Sequence, residues 1–384
     1  MLAGRDPERG ASAVEEVRGI ACAAPALASR GSTVSYEALD WRDTAALEAA
    51  LDRAAAVVHT AGPYAGEQPD VLKAAIGARV PVYVDLSDPV AYLDAAAALD
   101  GAARDAGTLA LCAAGAFPGM SNVLAMECAH RLGQPVKDLR FSYFTAGLGG
   151  SGDINLFITN EGFGDPVPVF RGGELRPQLE SGGASRRVEF FLSPDSAAQA
   201  LVGERTVWSW PFPEGCTVAR ALAISGDSSV GMGTAPEIWN GVMGLMVEVV
   251  PREWWRSRAF SEGLARFSKP LVQVTDAFVG ETHAMRVDAT ADDGSSASVV
   301  QAHRSFREVV GQSCAEFTAA LLESRGLLER AGDGDGPAVK LPESAGVFLP
   351  EQLLADEEAR RTVLERLLSV EGTVDYEYQV VSPR

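Results

Sequence analysis

Lysine is scarce in this sequence, and basic residues are outnumbered by acidic ones. Only Lys73, Lys137, Lys269 and Lys340 occur, and 33 basic residues stand against 52 acidic ones, which gives a formal net charge of −19. Because an acidic surface repels phosphate backbones, we expect no nucleic-acid partner. The small number of lysines also leaves few candidate residues for a catalytic amine.

Cysteine and histidine are few and widely spaced. The five cysteines form no CxxC pair, and the four histidines form no HxxxH pair. We therefore predict reduced thiols in a cytoplasmic protein without a metal site. The N-terminus lacks the apolar region of a signal peptide, and the longest apolar run, GVMGLMVEVV at 241–250, has about half the length of a membrane span.

Short apolar strands alternate with helical segments over the first 117 residues. AAVVHTAGPY at 55–64, PVYVDLSD at 81–88 and TLALCAAG at 108–115 are continuous apolar strands, and QPDVLKAAIGARV at 68–80 predicts a helix that begins at Pro69 and ends near Gly77. Continuous apolar strands separated by helices are typical of a parallel sheet with helices on both faces. We predict an α/β fold for this part.

The pattern changes after this region. Long alternating segments such as KDLRFSYFTA at 137–146 predict antiparallel strands, and the segment at 281–305 predicts a hairpin that turns at Asp292, Asp293 and Gly294. We therefore predict an α+β domain over 118–310, followed by C-terminal helices over 311–384 that pack back on the core.

Polar residues follow the ends of two predicted parallel strands, where ligands bind in open α/β sheets. The loop after the first of these strands lets the backbone approach a nicotinamide ribose at Gly62. After the next strand, Asp85, Ser87 and Asp88 can hold a substrate's polar groups or a proton, although Asp88 can instead cap a helix.

Two further segments allow more than one interpretation. TAGLGGSGD at 145–153 follows a strand, but its spacing is not GxGxxG, so a tight loop near a ligand is favoured over a dinucleotide fingerprint. Trp254 and Trp255, near RSRAF at 256–260, fit either an interfacial anchor or packing against the sheet.

Eight ordered motifs together resemble the saccharopine dehydrogenase-like family, and most closely its branch in plants and cyanobacteria. The motifs are AGRDPERG, VVHTAGPY, VLKAAI…VYVDLSD, AGAFPGMSNVLA, FSYFTAGLGGSG, GTAPEIWN, MRVDATADDG and GVFLPEQ. The resemblance implies a Rossmann NAD(P)-binding domain over 1–117, then an α+β domain that carries substrate and dimer contacts, and hence a homodimer.

The resemblance also implies roles for individual residues. Arg5 matches the end of the family's second strand, where it favours NADP over NAD, and Asp40 matches an acidic residue near the adenine. The other matched positions lie near the nicotinamide and are Ala61, Gly62, Pro63, Tyr64, Asp85 and Ser87.

Two departures from the family pattern change the expectation. Phe117 stands where amino-acid-forming members carry an aspartate before Pro-Gly, so a more apolar substrate is expected. The family's first strand and glycine-rich turn have no counterpart before residue 1. We therefore expect a sheet that lacks its first βα unit, and impaired cofactor binding. Of three explanations, a start codon assigned too late is favoured over a rearranged sheet and over a degenerate relative that does not bind cofactor.

We predict an NADP(H)-dependent oxidoreductase, with NAD as a possible substitute, that reduces or forms a C=N bond of a small substrate. The candidate proton donors are Tyr64, Asp85 and Tyr143. The predicted substrate wall comprises Phe117, Gly119, Asn122, Gly149 and Asn240. The alternatives are an enoyl (C=C) reductase and a non-catalytic binding protein at a lipid surface through 241–260.

Overall fold

The computed structural model describes residues 1–23, 33–147, 153–177, 182–329, 339–341 and 344–383. The strands are β1 (Leu2–Gly4), β2 (Tyr36–Ala38), β3 (Ala56–His59), β4 (Val82–Asp85), β5 (Leu109–Leu111), β6 (Asp138–Ala146), β7 (Phe170–Arg171), β8 (Glu174–Leu175), β9 (Ser185–Glu189), β10 (Glu204–Ser209), β11 (Ser228–Ala235), β12 (Thr282–Thr290), β13 (Ser296–His303), β14 (Gly346–Phe348) and β15 (Thr373–Val381).

The helices of the described residues follow the same chain order. They are α1 (Pro7–Ala23), α2 (Thr44–Leu51), α3 (Asp70–Gly77), α4 (Val90–Ala97), α5 (Asp100–Ala106), α6 (Met120–Leu132), α7 (Asp153–Gly162), α8 (Ala197–Leu201), α9 (Glu214–Ala221), α10 (Glu237–Val249), α11 (Arg252–Trp255), α12 (Arg258–Val279), α13 (Phe306–Ser324), α14 (Pro350–Leu353) and α15 (Glu357–Leu368).

The N-terminal part contains the predicted parallel strands, arranged as two separate ladders. One is the parallel pair β1–β2, and the other is a four-stranded parallel sheet in the order β14-β5-β4-β3. Within the described residues no ladder joins β1–β2 to β3, and Val58 of β3 is 45% exposed. The predicted α/β class is confirmed.

Both faces of β4 are buried, and successive side chains of this strand point to opposite faces. Tyr83 of β4 packs with Leu72 of α3 and Leu93 of α4 on one side. On the other side, Val82 and Val84 join the main core. The continuous apolar run of β4 thus reflects helices or sheet on both faces.

The second sheet has seven strands in the order β15-β13-β12-β6-β11-β10-β9, and only β6 and β11 are parallel neighbours. β12 and β13 form the predicted hairpin, with Thr290 opposite Ser296. Helices α6 and α9 pack against this sheet and fill the core between it and the first sheet.

The segment after residue 310 contains the predicted helices and two strands that were not predicted. α13 and α15 pack together, while β14 pairs with β5 of the first sheet and β15 pairs with β13 of the second. The helices-only expectation for 311–384 was therefore incomplete, because a short apolar strand such as β14 cannot be distinguished from a loop without its partner. The domain boundaries at 117 and 310 stay predictions.

Candidate functional site

A cavity of about 270 Å³ lies where loops after β4 and β5 meet the second sheet. Asp88, which follows β4, and Phe117, which follows β5, form one side of it. Most of the opposite wall is aromatic or apolar and includes Phe163, Trp208, Trp210, Phe212, Met232, Trp239, Met243, Val247, Trp255 and Leu264. A concave, mainly apolar cavity with few polar groups is the usual form of a small-molecule site.

A tight loop after β5 places Phe117 at this wall. Gly119 has a φ of 134°, and a Cβ there would overlap the Gly115 carbonyl, so the loop requires glycine. The Met120 amide donates to the Gly115 carbonyl at 2.9 Å. Phe117 stacks on Tyr143 and Phe306, with ring centroids 4.5 Å and 4.9 Å apart.

Behind Phe117, Tyr143 belongs to a buried polar cluster. Its hydroxyl donates to Oε1 of Glu214 at 2.7 Å, and the Ser121 hydroxyl donates to the same oxygen at 2.7 Å. Glu214 is fully buried, and because burial disfavours the charged carboxylate, its pKa is raised to about 7. Burial likewise holds the pKa of Tyr143 well above its ordinary value.

The same cluster continues into the first turn of α6. The Asn122 amide oxygen accepts from the Gly119 backbone at 2.8 Å, and its amide nitrogen donates to Glu351 at 2.7 Å. Helix α6 itself begins at Met120, directly after Gly119.

Asp88 is the acidic group of the cavity wall nearest the parallel strands. Burial, together with the negative charges of Asp165 and Asp85, raises the pKa of Asp88 to about 6. Pro89 precedes the first residue of α4, so Asp88 does not occupy the N-cap position. A carboxyl group with this pKa exists in both protonation states near neutral pH, which suits proton transfer.

Asp85 and Ser87 form a buried cluster at the end of β4. Oδ1 of Asp85 accepts from the Ser87 hydroxyl at 2.6 Å and from the backbone amides of Ser87 and Ala113 at 3.0 Å each. Its Oδ2 accepts from the Tyr83 hydroxyl at 3.0 Å. Four donors thus engage this carboxylate, an arrangement that orders the ends of β4 and β5.

Tyr64 also contacts the strand ends. Its hydroxyl donates to the His59 carbonyl at 2.6 Å, and burial raises its pKa well above the ordinary value. The proton-donor roles of Tyr64, Asp85 and Tyr143 stay predictions. The side chains of Tyr64, Asp85 and Tyr143 do not line the cavity. In the described structure, only Asp88 and Phe117 reach it from the loops that follow the strands of the first sheet.

The other predicted substrate-contacting residues are divided between two places. Asn240 lines the cavity, where its amide nitrogen donates to the Thr234 carbonyl at 2.9 Å and to Glu237 at 3.1 Å. Gly119 and Asn122 instead lie in the buried α6 turn. Gly149 lies outside the described residues.

The predicted cofactor positions also fall in two places. Ala61 and Gly62 are exposed and Pro63 is half-buried at the end of β3, whereas Arg5 is exposed and Asp40 is half-buried, after β1 and β2 respectively. At Gly62 a Cβ would press on the Tyr64 ring at 3.3 Å. A glycine with an exposed backbone beside a parallel strand end fits the nicotinamide end of a dinucleotide.

The start of α1 does not fit a diphosphate. Oδ1 of Asp6 accepts from the backbone amides of Glu8 at 3.0 Å and Arg9 at 3.1 Å, so a carboxylate already occupies the helix N-terminus. A phosphate group would need these same amides and would be repelled by the carboxylate. The described residues therefore fit one half of a nicotinamide dinucleotide better than the other.

Two features of the site were not recognised from the sequence. Glu214 is separated from Tyr143 by 71 residues, and no local pattern links them. The tryptophans of the cavity come from different elements, so only the pairing of β10 with β11 and the packing of α10 bring them together. The density of Trp, Phe and Met in 207–264 was the available signal.

Together, the four-stranded parallel sheet, the mixed seven-stranded sheet and the cavity beside them define an α/β protein with two main sheets. The solved structure of apo histidine-tagged saccharopine dehydrogenase (L-Glu forming) from Saccharomyces cerevisiae is similar to this chain over 99% of its length and 93% of that chain, with a TM-score of 0.57 and 14% sequence identity. No protein-family model matches the sequence, and no curated protein matches it either. The likeness confirms the fold predicted from the resemblance, while the plant and cyanobacterial branch stays a prediction.

Proposed function

We propose that this protein is an oxidoreductase that transfers hydride between a nicotinamide cofactor and an apolar substrate held in the cavity. The observation that carries the proposal is the cavity itself, which lies beside the carboxyl ends of parallel strands in a fold similar to that of a dehydrogenase. NADP(H) is the preferred cofactor because Arg5 follows β1, and NAD is the alternative.

The lining of the cavity supports one class of substrate over others. No Lys, Arg or His lines it among the described residues, and its charged side chains are Asp88 and Asp276. A substrate carboxylate would therefore lack a cationic partner and would be repelled. A neutral substrate with an apolar body fits this wall, and Phe117 in place of a carboxylate agrees with that choice.

Asp88 is the proposed proton donor. Reduction of a C=N bond adds hydride at carbon and a proton at nitrogen, and the nicotinamide supplies only the hydride. The Asp88 carboxyl, with a pKa of about 6, would supply the proton from the cavity wall. The second candidate reaction is reduction of an enoyl C=C bond, in which Asp88 would protonate the α-carbon. Because most of the cavity wall is uncharged, it favours this substrate equally.

Cofactor choice can be tested by titrating the protein with NADPH and NADH and following tryptophan fluorescence. Because Asp6 opposes a diphosphate at α1, we expect weak binding, with NADPH bound about tenfold more tightly than NADH through Arg5. Arg5→Ala should remove that preference, whereas Arg361→Ala, at an exposed arginine on α15, should leave it unchanged. Equal affinity for both nucleotides in the original protein would contradict the NADP assignment.

The reaction can be tested by following nicotinamide absorbance with an apolar aldehyde plus an amine, and separately with an enoyl thioester. Asp88→Asn should lower kcat by about a hundredfold and abolish the fall in rate as pH rises through about 6. Asp70→Asn, at the exposed start of α3, serves as the control. If the original protein oxidises NADPH with neither substrate class, the proposal is wrong.

A further inference from the structure

Helices α10 and α12 each carry an exposed apolar stripe with the spacing i, i+4, i+7, i+11. The stripe on α10 is 39–68% exposed and consists of Ile238, Val242, Leu245 and Val249. The stripe on α12 is 51–87% exposed and consists of Phe267, Leu271, Val274 and Phe278. We call these eight residues the α10–α12 face. Exposed apolar residues that are grouped in this way, rather than scattered singly, mark an interaction site.

The two helices are neighbours and border the cavity. The Trp239 indole nitrogen on α10 donates to the Thr275 hydroxyl on α12 at 3.1 Å. Val242 belongs both to the α10 stripe and to the cavity wall, and Val272 on α12 lines the same cavity next to Leu271. The exposed apolar surface is therefore continuous with the apolar interior of the proposed site.

Charge distinguishes the segment between the stripes from the rest of the chain. Residues 252–269 contain five basic and two acidic side chains, whereas the whole chain carries a net charge of −19. The basic residues are Arg252, Arg256, Arg258, Arg266 and Lys269. A locally positive segment beside an apolar helix face is complementary to the negative surface of a bilayer that contains anionic lipids.

Trp254 provides a second signal in the same segment. It is 57% exposed, whereas the adjacent Trp255 is buried and lines the cavity. Tryptophan is enriched where a protein meets the interface between lipid and water, because its ring is apolar and its N–H is polar. No helix of the described residues is long and apolar enough to cross a membrane.

We propose that the α10–α12 face docks on a bilayer containing anionic phospholipid, with the stripes in the interface and the arginines of 252–269 at the headgroups. The cavity, whose wall includes Val242, would then receive the apolar chain of a lipid substrate, a step that rests on the proposed function. Docking itself depends only on the stripes and the basic segment.

The test is co-sedimentation with vesicles of phosphatidylcholine alone or mixed with phosphatidylglycerol, without nicotinamide or substrate. We expect binding to the mixed vesicles that weakens as salt is added. Leu271→Glu combined with Phe278→Glu should lower the partition coefficient by about tenfold or more, because each side chain leaves the apolar region. Leu327→Glu, at an apolar residue of similar exposure outside the face, should bind as the original protein does.

Two outcomes would overturn the proposal. One is that the unaltered protein, shown to be folded by circular dichroism, stays in the supernatant with both kinds of vesicle. The other is that it is a dimer in solution which the double substitution converts to monomers, because the face would then be a contact between two copies. Since no nicotinamide is present, either result leaves the oxidoreductase proposal to be judged by its own assay.

Discussion

Glu214 illustrates how a single buried residue can carry a pH response. Its carboxyl lies wholly inside the core, where Tyr143 and Ser121 donate to one oxygen, and its pKa is raised from 4.5 to about 7. An acid whose folded-state pKa is raised stabilises the fold below its unfolded pKa. That contribution is lost as pH rises through the folded pKa.

We expect Glu214→Gln to remove this pH dependence. The glutamine cannot ionise, so between about pH 5 and about pH 8 the original protein should lose about 3 kcal/mol more of its unfolding free energy than the variant does. Urea denaturation at several pH values measures the difference. Asp88 and Glu161, whose pKa values are also raised, are present in both proteins, so their contributions to the pH dependence cancel in the comparison. Parallel pH profiles for the two proteins would contradict the assignment.

At the scale of the element, the loop before α6 shows why a helix begins where it does. Gly119 adopts a φ of 134° and packs so closely on Gly115 that no side chain fits between them. The Asn122 side chain then accepts from the Gly119 amide and secures the first turn. The start of α6 and the position of Phe117 are therefore set by backbone contact.

We expect Gly119→Ala to destabilise the protein by more than about 2 kcal/mol, because the new Cβ meets backbone atoms that cannot move independently. Gly101→Ala is the matched control, since Gly101 lies in α5 and a Cβ added there would have no heavy atom within 4 Å. That change should stabilise the protein by up to about 1 kcal/mol. Thermal unfolding compares the two, and changes of the same sign would refute this account of the loop.

At the scale of the element, sequence patterns predicted some helices and strands correctly and missed others. The α3 helix was predicted to begin at Pro69 and end near Gly77, and it spans Asp70–Gly77. The β12–β13 hairpin was also predicted correctly. β14 and β15 were not, because a strand is stabilised by hydrogen bonds to a partner distant in the chain. Local periodicity does not contain that partner.

At the scale of the whole molecule, the C-terminal elements are joined to the core by a buried charge network. Glu127 on α6 lies 2.7 Å from Nε of Arg131 and 3.6 Å from Nε of Arg360 on α15, and both Glu127 and Arg360 are buried. Arg131 also lies over the Tyr378 ring of β15 at 3.6 Å. One carboxylate thus connects α6 with α15 and, through Arg131, with β15.

We expect Glu127→Gln to cost about 3–5 kcal/mol of unfolding free energy, because the Arg360 guanidinium would be left buried without its counter-charge. The control is Glu174→Gln, which breaks a 2.6 Å ion pair with Arg176 whose side chains are both about two-thirds exposed. Because solvent screens an exposed pair of this kind, its loss should have little effect on stability. If denaturant titration gives equal losses for the two variants, the buried network does not hold the C-terminal elements in place.

The sequence by itself determined the α/β class, the parallel strands and the apolar character of the site at Phe117, because these depend on periodicity and residue type. Only the tertiary structure decided which side chains meet. It placed Asp88 rather than Asp85 at the cavity, set Tyr143 against Glu214 and left the stripes of α10 and α12 exposed. Each of these depends on contacts between residues far apart in the chain, and local propensity carries no information about them.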